Sequence, residues 1–132
     1  MIKQDYLLRM IQEIITLIMN LLLNKEKTRP QQWVEYDALT RQILGVPSED
    51  LHEMTTEEII ERYKDDPNRM WKIELAALTM LKIADETSDE QLVLKSKLKQ
   101  NGTSLLEFVQ STGDTFSLQR VALIRMLKHT FE

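Results

Sequence analysis

The sequence predicts an all-α fold of about six or seven helices in antiparallel hairpins, led by a long N-terminal helix. Apolar residues recur at helical spacing in several long segments. Only three glycines and three prolines occur among the 132 residues, which is too few for a turn-rich β fold. The length predicts a single domain over residues 1–132, with residues 1–46 as an N-terminal hairpin and residues 55–132 as a helical hairpin array.

The first helix is predicted over residues 2–23, and the other helices are expected to pack around it. Its polar residues, such as Arg9, Glu13 and Asn20, recur mostly at steps of three and four, so they form one narrow stripe. The remaining apolar surface is either buried by the second and fourth helices or paired with a second copy of the chain. The candidate interface for such a homodimer consists of Leu7, Met10, Ile14, Leu17, Ile18 and Leu21.

A membrane anchor and a signal peptide are alternative interpretations of the same helix. A spanning helix needs about 20 predominantly apolar residues, and polar side chains interrupt this one. No small-residue cleavage site follows it, since residues 24–27 read Asn-Lys-Glu-Lys. The sequence therefore predicts no membrane partner and a cytoplasmic location.

Helix boundaries in the first half follow from turn and capping residues. A polar turn over residues 24–29 precedes Pro30, which suits the first position of a second helix that ends at Gly45. A single helical turn is predicted over residues 48–51. Thr55 and Glu58 have capping-box spacing ahead of a short third helix.

The second half is predicted to contain four more helices. Asp66 and Pro67 would cap and begin the fourth, an apolar helix reaching about Ile83. Ser88 would cap the fifth helix, which Asn101 and Gly102 would stop. Ser104 and Glu107 have capping-box spacing at the start of a short sixth helix, which Gly113 would end. Residues 114–117 would lead into a seventh helix.

Composition excludes several kinds of function. The chain has no cysteine, so disulfides, thiol nucleophiles and cysteine-based zinc sites are absent. A net charge of −4 argues against a general nucleic-acid binder. Some basic residues of the last helices are expected to form a solvated surface rather than an RNA site, namely Lys95, Lys97, Lys99, Arg120, Arg125 and Lys128.

Catalytic constellations are weak. His52 and Glu53 begin like a zinc-protease helix, but Thr56 stands where the second histidine is needed. The carboxylate pairs lie at predicted helix ends, where capping and the helix dipole explain those that precede helices. No phosphate-binding loop is present. We therefore assign no catalytic, cofactor-binding or metal-binding residue and expect no cofactor, and the sequence favours a protein that is not an enzyme.

Four segments carry a family resemblance. Residues 4–12 read Gln-Asp-Tyr-Leu-Leu-Arg-Met-Ile-Gln, and residues 39–51 contain Leu-Gly-Val-Pro. With residues 73–86 and 113–131, they resemble the helices of a family of small, uncharacterised bacterial proteins. That resemblance implies a tetratricopeptide-like helical array, a domain of unknown function with no catalytic residues to carry over.

The leading hypothesis is a non-catalytic protein-interaction or scaffold module that exposes a concave surface to an unidentified protein partner. One alternative is a small helical ligand-binding protein or enzyme with a buried polar pocket. The other is a structural homodimer through the first helix. A buried pocket with convergent Glu, His or Arg side chains would favour the ligand-binding alternative, whereas a dry core and an open groove would favour the module.

Overall fold

The computed structural model describes residues 2–24, 30–46 and 48–131. These residues form seven α-helices, one 3₁₀ turn at Asp89–Gln91 and no strand, which confirms the predicted all-α class. The predicted turn over residues 24–29 lies almost wholly outside the described residues. The helices are α1 (Ile2–Asn24), α2 (Pro30–Leu44), α3 (Ser48–Leu51), α4 (Thr56–Arg62), α5 (Arg69–Glu86), α6 (Leu92–Thr112) and α7 (Leu118–Phe131).

The centre of the fold is the pair of α5 and α6, which has the most extensive packing of any two helices described. Every residue of α5 from Ile73 to Leu81 is buried. A Cβ placed on Gly102 of α6 would lie 2.7 Å from Leu81 Cγ and 3.0 Å from the Ala77 carbonyl oxygen. The two helices therefore approach closely because Gly102 has no side chain, which leaves room for the side chain of Leu81 and the backbone of Ala77.

The predicted break at Asn101 and Gly102 is wrong. The structure has one continuous helix, α6, where the sequence predicted a fifth helix and a short sixth one. Glycine in a helix interior costs about 1 kcal/mol relative to alanine, but it does not stop a helix when packing holds it. Ser104 consequently lies inside α6 instead of capping a new helix, and Gly113 follows the last residue of α6 as expected.

The α1 helix lies against α5, with further contacts to α7 and α2. The second and fourth predicted helices correspond to α2 and α5, so both of the expected covering helices contact it. Its polar stripe faces solvent, as Arg9, Gln12 and Glu13 show. Its buried face is apolar and consists of Ile11, Ile14, Ile15, Ile18, Met19, Leu21 and Leu22.

Among the described residues, the segment Asp5–Asn24 is long and apolar enough to cross a membrane, judged by length and composition alone. Core helices of globular proteins and signal sequences meet the same criterion. In this structure the apolar face of α1 is in contact with three other helices. The apolar side chains of α1 therefore contribute to the core of this fold.

Two local predictions in the first half are confirmed. Thr55 and Glu58 form a full capping box at α4, in which each side chain bonds the other residue's backbone N–H, at 3.1 and 3.2 Å. Gly45 follows α2 with φ +74°, the left-handed conformation that glycine adopts most readily. Its carbonyl oxygen accepts a 3.0 Å hydrogen bond from the guanidinium of Arg62, at the last position of α4.

The start of α5 differs from the prediction by two residues. The helix begins at Arg69 instead of Pro67, and Asn68 occupies the N-cap position without a side-chain hydrogen bond. Asp66 instead accepts a 2.8 Å bond from the Asn68 backbone N–H and pairs with Lys72 at 2.6 Å. The Asp-Pro pair therefore shapes a turn before the helix, a role that aspartate side chains often have.

Candidate functional site

The main polar feature of the interior is a buried ion pair between α5 and α7. Arg120 and Glu74 have 1% and 2% of their surface exposed. The Nη1 atom of Arg120 donates to both carboxylate oxygens of Glu74, at 3.1 and 3.3 Å. The Nε atom donates to the side-chain oxygen of Gln110 at 2.8 Å, and Nη2 donates to the backbone oxygen of Thr115. We call these four residues the Arg120 cluster.

The Arg120 cluster joins four parts of the chain. Glu74 comes from α5, Gln110 from α6, Thr115 from the connecting segment and Arg120 from the first turn of α7. The hydroxyl of Ser117 accepts a 3.1 Å bond from the Arg120 backbone N–H, which satisfies one free donor at the start of α7. One arginine thus fixes where α7 begins relative to both central helices.

Electrostatics in the cluster are set by burial. Desolvation raises the pKa of the Glu74 carboxyl, and the charge of Arg120 opposes that rise. No buried side-chain nitrogen or oxygen in the described part of the chain lacks a hydrogen-bond partner. The cluster is therefore closed upon itself, and its arrangement suits positioning of α7 better than acid–base chemistry.

Sequence reasoning missed this cluster and placed Arg120 on a solvated basic face, which is wrong. Arg120 is buried because Glu74, 46 positions earlier, supplies a carboxylate inside the core. One signal was available: Glu74 is a charged residue between apolar neighbours in the most apolar part of α5. A charge at such a position requires a partner of opposite sign.

The other basic residues of that predicted face differ in their surroundings. Lys95 pairs with Asp89 at 2.9 Å and lowers the pKa of the Asp89 carboxyl. Lys128 pairs with Glu107 at 2.8 Å. Lys97 and Arg125 are exposed. Lys95 and Lys128 therefore have acidic partners, whereas Lys97 and Arg125 are open to solvent as the sequence predicted.

The six candidate interface residues of α1 divide into two sets. Ile14, Ile18 and Leu21 are 1%, 0% and 9% exposed, so their own chain already covers them. Leu7, Met10 and Leu17 are half-buried. A homodimer through α1 would therefore have to use the second set, and it stays a prediction for those three residues.

Three surface depressions in the described part of the chain are shallow and open. One of about 440 Å³ lies beside the polar stripe of α1 and includes Arg9, Leu17 and Tyr36. A second of about 340 Å³ lies along α7. The third, of about 530 Å³, lies at the start of α6 and is lined mainly by apolar atoms of Leu92, Val93 and neighbouring residues.

Two pairs of large apolar side chains are exposed near the ends of α6. Leu92 and Val93 at its first turn are 62% and 85% exposed. Phe116 and Leu118, on either side of the start of α7, are 70% and 76% exposed. Exposed apolar side chains that occur in pairs are more informative than scattered ones, because contiguous apolar surface marks contact sites.

Metal chemistry finds no support in the part of the chain that the structure describes, since no group of three or more His, Asp or Glu side chains could hold an ion there. His52 is half-buried and His129 is exposed. Comparison of the chain with protein-family models, with curated proteins and with solved structures found no match. The resemblance to a tetratricopeptide-like bacterial family therefore stays a prediction.

Proposed function

We propose that the chain is a non-catalytic protein-interaction or scaffold module of the cytoplasm. The observation that carries the proposal is the exposed apolar pair Leu92 and Val93 beside the largest of the three depressions. Burying apolar surface of this kind against a partner stabilises the complex by about 25 cal/mol per Å² removed from water. Leu92 and Val93 belong to α6, one of the two central helices, so their positions are fixed before any partner binds.

The interior supports a role other than catalysis. Acid–base catalysis needs a titratable group that reaches a substrate. Glu74 is the buried carboxylate of the described chain, and its partner is Arg120 rather than a pocket. None of the three depressions described above is lined by Glu74 or Arg120.

Capture from an extract of the native cell tests the proposal. The immobilised chain would be compared with Leu92→Lys/Val93→Lys and with a control, Gln100→Lys/Ser104→Lys, which adds the same charge at exposed positions of the same helix. We expect a set of proteins that the unchanged chain and the control retain and the Leu92/Val93 variant loses. Equal recovery by all three chains, read by mass spectrometry, would show that Leu92 and Val93 are not the contact, and recovery of no specific protein by any of them would contradict the proposal.

A small ligand-binding protein is the second candidate, and the buried Glu74 and Arg120 are the convergent polar side chains with which it would hold a ligand. Thermal unfolding with a panel of metabolites would distinguish the two. A ligand that raises the melting temperature of the unchanged chain but not of Glu74→Gln would favour this candidate over the module.

A further inference from the structure

The α7 helix is held by three buried side chains on one of its faces. Arg120, Leu123 and Leu127 are 1%, 0% and 9% exposed, and the other described side chains of α7 are half-buried or exposed. Their spacing of three and four positions places them along a single stripe of the helix. Amphipathic helices use the same spacing when they anchor in a groove of another protein.

The surface beneath α7 is built by three other helices. The helix packs on α6 and α1, and the two leucines belong to the common apolar core. Its arginine reaches Glu74 of α5 and Gln110 of α6. We call this surface the α7 groove: an apolar region that receives two leucines, with one buried carboxylate where the arginine lies.

The attachment of α7 is less extensive than that of the central helices. Three of its described residues are buried, whereas ten residues of α5 are buried. A five-residue segment without helical structure, residues 113–117, connects α7 to α6. Elements with few buried contacts open at lower free energy than the core does.

The buried ion pair makes the groove selective. A charge left in the interior without its partner is strongly unfavourable. A helix that places an apolar residue over Glu74 would leave the carboxylate unpaired, so the groove discriminates in favour of an arginine at that position.

Resting on the proposed function, we propose that α7 and residues 113–117 open as one unit, and that the groove they leave binds a partner helix. That helix carries an arginine followed by leucines three and seven positions later. The occupant is argued from the structure itself, because α7 is a helix of this chemistry seated in the groove. The partner helix then occupies the groove in place of α7. The Arg120 cluster sets the equilibrium between the state with α7 in the groove and the state with the partner helix there.

Hydrogen exchange on the unchanged chain tests the opening. We expect the amides of residues 121–127 to exchange together, at least about tenfold faster than those of residues 75–81, through an opening that leaves α5 closed. Equal protection of the two helices would overturn the proposal. This measurement requires no variant, so it decides the matter even if substitutions prevent folding.

Binding of a fluorescent peptide with the sequence of residues 114–131 tests the occupant. In Arg120→Ala the chain's own helix competes less, so we expect the peptide to bind this variant at least about tenfold more tightly than the unchanged chain. A peptide with methionine at the arginine position should bind Arg120→Ala more weakly. That preference should vanish in Glu74→Leu/Arg120→Ala, where the carboxylate is absent.

Three outcomes would overturn the proposed occupant. They are no peptide binding to Arg120→Ala, equal binding of the arginine and methionine peptides to it, and an Arg120→Ala chain that light scattering shows to be a dimer. A dimer would mean that a second copy fills the groove. These outcomes are separate from failure of the proposed function, because the capture experiment changes Leu92 and Val93 and leaves the α7 groove intact.

Discussion

At the scale of single residues, the end of α2 shows how one side chain stabilises a helix terminus. The hydroxyl of Tyr63 donates to the buried carbonyl oxygen of Leu44 at 2.7 Å. A phenol is already protonated at neutral pH and so acts as a donor, and desolvation raises the pKa of Tyr63 further. The last carbonyls of a helix have no partner within it, and Tyr63 supplies one for Leu44. Arg62, the last residue of α4, supplies another for Gly45, which follows α2.

Replacing Tyr63 with phenylalanine should reduce the free energy of unfolding by about 1–3 kcal/mol, because the Leu44 carbonyl would be buried without a partner. Urea unfolding measures the change. The matched control is Tyr6→Phe, since Tyr6 is 64% exposed and removal of its hydroxyl leaves no buried group without a partner. Equal effects of the two substitutions would show that the Leu44 bond contributes nothing specific.

Residue-level features differ in how far the sequence predicts them. The capping box of Thr55 and the positive φ of Gly45 depend on neighbours within four positions, so the local pattern is sufficient to find them. The burial of Arg120 depends on Glu74, 46 positions away. Periodicity reports which face of a helix is apolar, but it does not say which charged residue meets a partner inside.

At the scale of helices, the crossing of α5 and α6 depends on Gly102. The sequence predicted a helix end there because glycine is a poor helix former. The opposing side chain of Leu81 and the backbone of Ala77 lie too close for a larger residue. Packing between helices therefore overrode the local propensity, and one helix replaced two predicted ones.

Alanine at position 102 should destabilise the chain despite its better helix propensity. Overpacking costs about 1–3 kcal/mol and the propensity gain is about 1 kcal/mol, so we expect a net loss of about 1 kcal/mol or more. The control is Ser104→Ala, an exposed position of the same helix, which should be neutral or slightly stabilising. A stabilised Gly102→Ala variant in denaturant unfolding would show that the crossing is looser than described.

At the scale of the whole molecule, the Arg120 cluster makes stability depend on pH. The pKa of Glu74 is raised above its ordinary value of 4.5, so the folded state binds this proton more tightly than the unfolded chain does. The contribution of Glu74 to the free energy of unfolding is therefore fully present below its pKa in the unfolded chain, and it is lost as pH rises through its pKa in the folded state. An ordinary ion-paired carboxyl with a lowered pKa gives the opposite sign.

The variant Glu74→Gln tests this linkage because it does not titrate. The free energy of unfolding of the unchanged chain, minus that of Glu74→Gln, should be larger near pH 4.5 than near pH 7. Thermal or urea unfolding across this range measures it, with Glu53→Gln at an exposed position as the control. A difference that grows toward neutral pH would show that Arg120 dominates over desolvation.

The continuity of α6 has a consequence for any binding partner. The helix is 21 residues long, so its two ends are about 30 Å apart. Leu92 and Val93 lie in its first turn, and Phe116 and Leu118 follow its last residue, Thr112, along the chain. An extended peptide spans at most about 3.5 Å per residue, so one shorter than about nine residues cannot follow α6 over its whole length.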